Sequence, residues 1–128
     1  MKLLLDTHVF LWAAAGSKKL SSRATRLISD PKNELYFSAA SLWEIVIKRA
    51  RPRSGIRINP ATLRHRLLKN GYTELAITGS HALAIAELPA IHKDPFDRAL
   101  AAQSLVEDML LLTADDMLLQ YPCRVQKI

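Results

Sequence analysis

Apolar and polar positions fall in blocks along the chain. Short apolar runs at residues 2–5, 35–37, 74–77 and 109–112, with a weaker one at 124–126, have the length and the flanking residues of buried strands. Between them apolar positions recur at helical spacing, in stretches that begin near Val9, Ser21, Ser41, Pro60, Ser80 and Pro95. Strands that alternate with helices predict an α/β fold whose mainly parallel sheet is covered on both faces, because each parallel crossover lays a helix over the sheet.

Local signals sharpen the helix starts. Asn59 before Pro60 and Asp94 before Pro95 pair an N-cap residue with a proline at the first helical position, where a missing N–H costs nothing. Gly71 is a stop after Leu67-Leu68-Lys69-Asn70, and "RARPRSGIR" is expected as an exposed loop. Ser41-x-x-Glu44 and Thr113-x-x-Asp116 both fit capping boxes, and Glu44 also stands four residues before Lys48, a spacing that allows an ion pair.

Composition adds bounds. With 128 residues, 49% hydrophobic and 23% charged, the chain is expected to fold as one globular domain spanning 1–128, with enough core to need no staple. Cys123 is the one cysteine, so no internal disulfide forms, as suits a reducing compartment. The opening "MKLLLDTHVFLWAAAG" imitates a signal peptide, but Asp6 and His8 interrupt it, and no apolar run approaches the roughly 18 residues of a membrane span. A cytoplasmic protein without membrane contact is expected.

The charge of +6 is concentrated. From Ile45 to Thr73 there is no acid, while Lys48, Arg49, Arg51, Arg53, Arg57, Arg64, Arg66 and Lys69 all lie there; these eight leave ten cations against twelve acids elsewhere. The segment reads equally as a solvated helix face or as a surface for phosphate or another anionic partner.

The acids carry the candidate chemistry. Asp6 ends the first strand and Asp115 follows the "LLLT" strand, which puts both at the carboxyl ends of strands, where open parallel sheets bind ligands. Glu44 is expected in the first turn of the helix after the second strand, and Asp97 in the first turn of the helix that leads to the fourth. First-turn acids are explained by caps and by the helix dipole. Asp6 and Asp115 are not: a carboxylate at the end of a buried strand needs a partner, and no lysine or arginine stands within three residues after Asp6 or on either side of Asp115. A divalent cation would serve both, and an all-oxygen donor set suits magnesium or manganese.

Other chemistries score poorly. G-x-x-x-x-G-K-[ST], G-x-S-x-G and H-E-x-x-H are absent, and His8, His65, His81 and His92 show no zinc spacing, so each histidine is expected to be structural or exposed. Trp12 and Trp43 are expected to pack the core.

The motifs "LLLDTHVFLW", "SAASLWEIVIK", "HKDPFDRALAAQS" and "LLTADDMLL", in this order and separation, resemble the PIN-domain ribonucleases, and among them the VapC-type toxins of type II toxin–antitoxin systems. The resemblance covers nearly the whole chain. It implies a three-layer α/β/α sandwich with a short, mainly parallel sheet, and an acidic quartet of Asp6, Glu44, Asp97 and Asp115 holding Mg2+ or Mn2+. In this reading Asp6 and Asp97 ligate directly, Thr113 supports the site, and Asp94 is an additional nearby carboxylate. It further implies an RNA substrate, a cognate antitoxin and a homodimer, with Lys48, Arg49, Arg51 and Arg53 as a surface toward RNA or a partner. The length leaves no room for an added domain, which favours the stand-alone toxin over larger PIN proteins. The alternatives are an inactive RNA- or antitoxin-binding PIN module, and a phosphotransfer domain of HAD or receiver type. A HAD enzyme wants Asp-x-Asp where "DTH" stands, and a receiver wants a late strand-end lysine that "LLTADD" lacks.

Overall fold

A computed structural model describes residues 1–51, 53 and 55–128. In chain order the elements are β1 (Lys2–Leu5), α1 (Thr7–Ala15), α2 (Ser22–Ser29), β2 (Glu34–Ser38), α3 (Ala39–Arg49), α4 (Pro60–Lys69), β3 (Thr73–Leu75), α5 (Gly79–Glu87), α6 (Pro95–Glu107), β4 (Leu110–Thr113), a 3₁₀ helix (Asp116–Gln120) and β5 (Val125–Lys127). The strands form one five-stranded, fully parallel sheet in the order β3-β2-β1-β4-β5.

The period-2 alternation of β1 explains the layers. Leu3 and Leu5 face one way and pack with Val9, Phe10, Phe37, Ile45, Leu63, Leu67 and Leu112. Leu4 faces the other way and packs with Leu100, Ala101, Ala102, Met109, Leu111, Leu118 and Tyr121. Leu3, Leu4 and Leu5 are all fully buried, so β1 is covered on both faces, as the unbroken apolar run predicts. The result is a three-layer α/β/α sandwich. Among the described residues no helix is long and apolar enough to cross a membrane.

Most boundaries agree with the pattern to within a residue or two. The cap of α3 is not the expected one. Ser38, the last residue of β2, caps it by accepting from the Ala40 N–H at 3.0 Å, so strand passes into helix without a loop. Ser41 is therefore inside the helix, its hydroxyl buried with no hydrogen-bond partner among the described residues, and Glu44 stands in the second turn rather than in a capping box. Ser38 also donates to Oε1 of the buried Gln103 on α6 at 2.5 Å, while the Gln103 amide donates to the Ala76 carbonyl at 3.3 Å. That one side chain ties α6 to the ends of two strands. The other expected caps hold at Asn59 and Asp94. In the expected exposed loop, Arg49, Arg51, Arg53, Gly55 and Arg57 are exposed, and Pro52 and Ser54 lie outside the described residues.

The strand order fixes where a site can form. From β1 the chain moves outward through β2 and β3, then crosses back to place β4 on the other side of β1. The strand order reverses between β1 and β4, and the crevice beyond their carboxyl ends is the natural binding position of such a fold.

Candidate metal centre

Asp6 and Asp115 arrive at this crevice directly from β1 and β4, whose last paired residues include Leu5 and Leu112. Glu44 comes from α3, and Asp97 is the third residue of α6, which starts at the same rim and runs back toward β4. All four line one cleft of about 420 Å³, together with His8, Trp12, Lys48, His92, Asp94 and Ala114.

The hydrogen bonds divide the four acids into two pairs. Asp6 occupies the N-cap position of α1 yet makes no capping hydrogen bond with its side chain; its Oδ2 accepts from the Thr113 hydroxyl at 2.7 Å. Thr113 accepts in turn from the Asp115 N–H at 3.0 Å, so one buried hydroxyl fixes both strand ends. Asp97 meets His92 Nε2 through Oδ2 at 3.0 Å. Each of these two carboxylates keeps its Oδ1 outside any side-chain hydrogen bond among the described residues. Glu44 and Asp115 do not. Glu44 Oε1 accepts from Thr7 Oγ1 at 2.7 Å and Oε2 from Lys48 Nζ at 2.6 Å, the i,i+4 pair that the spacing allowed. Asp115 Oδ1 caps the 3₁₀ helix by accepting from the Met117 N–H at 2.8 Å, and Oδ2 meets His92 Nε2 at 2.7 Å. The expected capping role of Asp116 thus belongs to Asp115, and Asp116 pairs with Lys127 at 2.7 Å.

Electrostatics mark the cleft as overloaded with negative charge. Burial, then the neighbouring Asp6 and Asp94, push the Asp97 carboxyl from 3.8 up to about 7, against a smaller opposing effect of His92. Burial also raises Asp6, with the Thr113 hydrogen bond working the other way. For His92, burial disfavours the charged ring, but the hydrogen bond to Asp115 and the charges of Asp97, Asp115 and Asp94 prevail and raise it. Close carboxylates that resist ionisation are what a bound cation relieves, and the all-oxygen donors of the quartet fit a hard divalent ion.

Among the remaining expected residues, Asp94 caps α6 by accepting from the Phe96 and Asp97 N–H groups at 2.8 and 3.3 Å and also lines the cleft. Lys48, Arg51 and Arg53 line an adjoining cleft with His8 and Ile56. Arg49 is not with them; it borders a separate depression with Val46, Ala50 and Pro60. Trp43 is not a core residue: it is 59% exposed, its ring edge-to-face with Phe96 at 5.2 Å, because α3 buries the face of Ala40, Ser41, Glu44 and Ile45 and position 43 lies away from it. Trp12 borders the cleft, with Lys19 Nζ 5.4 Å from its ring centre.

Two contributors escape sequence reasoning. Thr7, adjacent to Asp6, holds Glu44 across 37 positions of sequence. His92 is the larger omission: the only signal is a histidine two residues before the Asp94 cap, and nothing in that spacing reveals that its ring reaches Asp115.

The chain belongs to the PIN domain family, whose model matches residues 3–122. That membership removes the HAD and receiver alternatives. At the level of sequence no curated protein matches the chain. Among solved structures it is similar in fold to VapBC2 from Rickettsia felis, bound in that structure to a DNA fragment from the promoter (TM-score 0.74, 13% identity, covering 100% of this chain and 99% of that one). It is likewise similar to FitAcB from Neisseria gonorrhoeae (TM-score 0.62, 19% identity, covering 96% and 95%). A third is a toxin–antitoxin complex from Klebsiella pneumoniae (TM-score 0.57, 16% identity, covering 88% and 86%).

Proposed function

We propose that this protein is a metal-dependent endoribonuclease, acting through a single PIN domain as the toxin of a toxin–antitoxin pair in the cytoplasm. The observation that carries the reading is the convergence of Asp6, Glu44, Asp97 and Asp115 on one cleft where the strand order reverses; among the described residues Glu44 and Asp115 are held at both oxygens, Asp6 and Asp97 by a side chain at Oδ2 alone. Asp6 and Asp97 would hold Mg2+ or Mn2+, which when bound supplies charge stabilisation at a scissile phosphate and a more acidic water. Glu44 and Asp115, each fixed at both oxygens, would orient water through their remaining lone pairs. Thr113 and Thr7 hold the carboxylates in place, and Lys48 offsets part of the negative charge.

The basic groove next to the cleft supports an RNA backbone running past the acids, with Lys48, Arg51 and Arg53 toward its phosphates and Arg49 further off. Phosphate contacts of this kind weaken with salt, with a slope in log–log form of about 0.7 per contact for a single strand. The toxin–antitoxin assemblies that share the fold support a cognate antitoxin as partner, and a homodimer is the form in which we expect the protein to act.

The test is cleavage of RNA by the purified protein with Mg2+ or Mn2+, beside Asp6→Asn, together with expression of the chain alone and with its neighbouring small reading frame. Metal-dependent cleavage abolished by the substitution, and growth arrest relieved by the neighbour, are expected. Cleavage that survives Asp6→Asn would sink the mechanism, and a metal-independent RNA binder without cleavage would be the inactive module.

A further inference from the structure

We propose that His92 is a positioning residue of the acidic site, which donates its Nε2–H to Asp115 with Asp97 alongside at 3.0 Å, and does not ligate the cation. The inference rests on the reading above, in which Asp6 and Asp97 hold that cation. By distance alone the opposite conclusion is tempting, since Nε2 of His92 and carboxylate oxygens of Asp97 and Asp115 all lie within 4.8 Å of one another, a metal-sized cluster.

The other ring nitrogen decides between them. Nδ1 faces the Asp94 backbone N–H at 3.1 Å and accepts from it. A backbone N–H can only donate, so Nδ1 is unprotonated and the proton of the neutral ring is on Nε2. A histidine that binds metal through Nε2 needs its lone pair there and its proton on Nδ1, which would set two N–H groups against each other. The imidazolium form, protonated on both nitrogens, would likewise set an Nδ1–H against the Asp94 N–H. In the form compatible with the Asp94 contact, the atom facing Asp97 and Asp115 is therefore a donor.

The loop is built to hold the ring there. The His92 N–H donates to the Tyr121 hydroxyl at 2.8 Å, and Tyr121 is buried. Arg98 binds the same hydroxyl at 3.3 Å and the carbonyls of Pro89 and Ile85 at 2.9 and 3.0 Å, which fixes the segment leading into α6. One ring is thus placed between two acids from different elements, which would otherwise repel: it is hydrogen-bonded to Asp115 and lies 3.0 Å from Asp97 Oδ2. Residues in this outer role typically cost about 10- to 100-fold in metal affinity when removed.

Imidazole ¹⁵N NMR of the intact protein, with and without Mg2+, tests the assignment. Nε2 should stay protonated and Nδ1 unprotonated in both states; loss of the Nε2 proton on adding Mg2+ would make His92 a ligand and overturn the proposal. Direct Mn2+ binding gives a second arm. His92→Ala should weaken it by about 10-fold or more, and His92→Gln, whose amide N–H takes the Nε2 position, should restore most of that loss. If His92→Ala binds like wild type while Asp97→Asn does not, the positioning role is wrong and the metal reading stands. If neither substitution changes binding, the metal reading fails and this inference with it. Should His92→Ala not fold, the NMR of the unmodified protein decides alone.

Discussion

Two histidines in this molecule, His81 buried and His92 half-buried, have similar hydrogen bonds and very different surroundings. His81 in α5 accepts at Nδ1 from the Thr78 N–H and meets Glu107 through Nε2 at 3.0 Å. His92 accepts at Nδ1 from the Asp94 N–H and meets Asp97 and Asp115 through Nε2. The first closes a capping box and joins α5 to α6, its single carboxylate partner 38% exposed and otherwise unburdened. The second sits where Asp6, Glu44, Asp94, Asp97 and Asp115 share one cleft. The local pattern of a histidine is therefore no guide to its role. What separates the two is how many carboxylates compete for the one N–H, and whether any is left with an open oxygen.

Substitutions in the two regions should accordingly fail in different ways. The largest effect is expected at the pair proposed to hold the metal: Asp6→Asn or Asp97→Asn should reduce metal-dependent RNA cleavage by more than about 100-fold, beyond the loss typical of residues that only support a ligand. Without metal, Asp97→Asn should melt higher than wild type at pH 8, by on the order of 1–2 kcal/mol after allowing for solvent screening, because it removes a buried charge that its neighbours repel. In the other region, His81→Ala should lower stability by roughly 2–4 kcal/mol through lost packing and two broken hydrogen bonds, visible in denaturant unfolding, and should leave Mn2+ affinity unchanged. If His81→Ala also weakens the metal, the two regions are coupled and the contrast is wrong.

The pH dependence has a definite sign. Asp97 titrates near 7 in the folded chain and at 3.8 as a free side chain. Its contribution to stability is complete below about 3.8 and is lost as pH rises through about 7. The metal-free protein should thus lose stability between about pH 4 and pH 7, with His92, Asp6, Asp94, Glu44 and Lys48 as the charged neighbours that set the steepness. Thermal melts in chelator should show the decline, and saturating Mg2+ should flatten it. The smallest effect is expected for Tyr121→Phe, which removes the hydroxyl under His92 and Arg98: about 1 kcal/mol of stability and a mild loss of Mn2+ affinity.

Much of this was legible in the chain. The apolar run of β1 and the caps at Asn59 and Asp94 are local signals, and the structure follows them. The four acids were legible because position relative to strand ends is itself a local property. What could not be read were the partners. Asp6 needs no nearby lysine because Thr113 reaches it across 107 positions, and Asp115 is met by His92 across 23. The cap of α3 was misread because Ser38 and Ser41 are chemically equivalent caps; Ser38 takes the role through its contact with Gln103, 65 positions away. Trp43 is at the surface because the buried face of α3 runs through Ala40, Ser41, Glu44 and Ile45.

Calorimetric titration of Mn2+ into the metal-free protein is the most direct test of a cation seat between Asp6 and Asp97. Wild type should bind saturably, with melting raised by roughly 10 °C at a hundredfold excess over the dissociation constant. Asp6→Asn and Asp97→Asn should abolish that binding, while Glu44→Gln and Asp115→Asn only weaken it. Undiminished binding by Asp97→Asn would contradict the site.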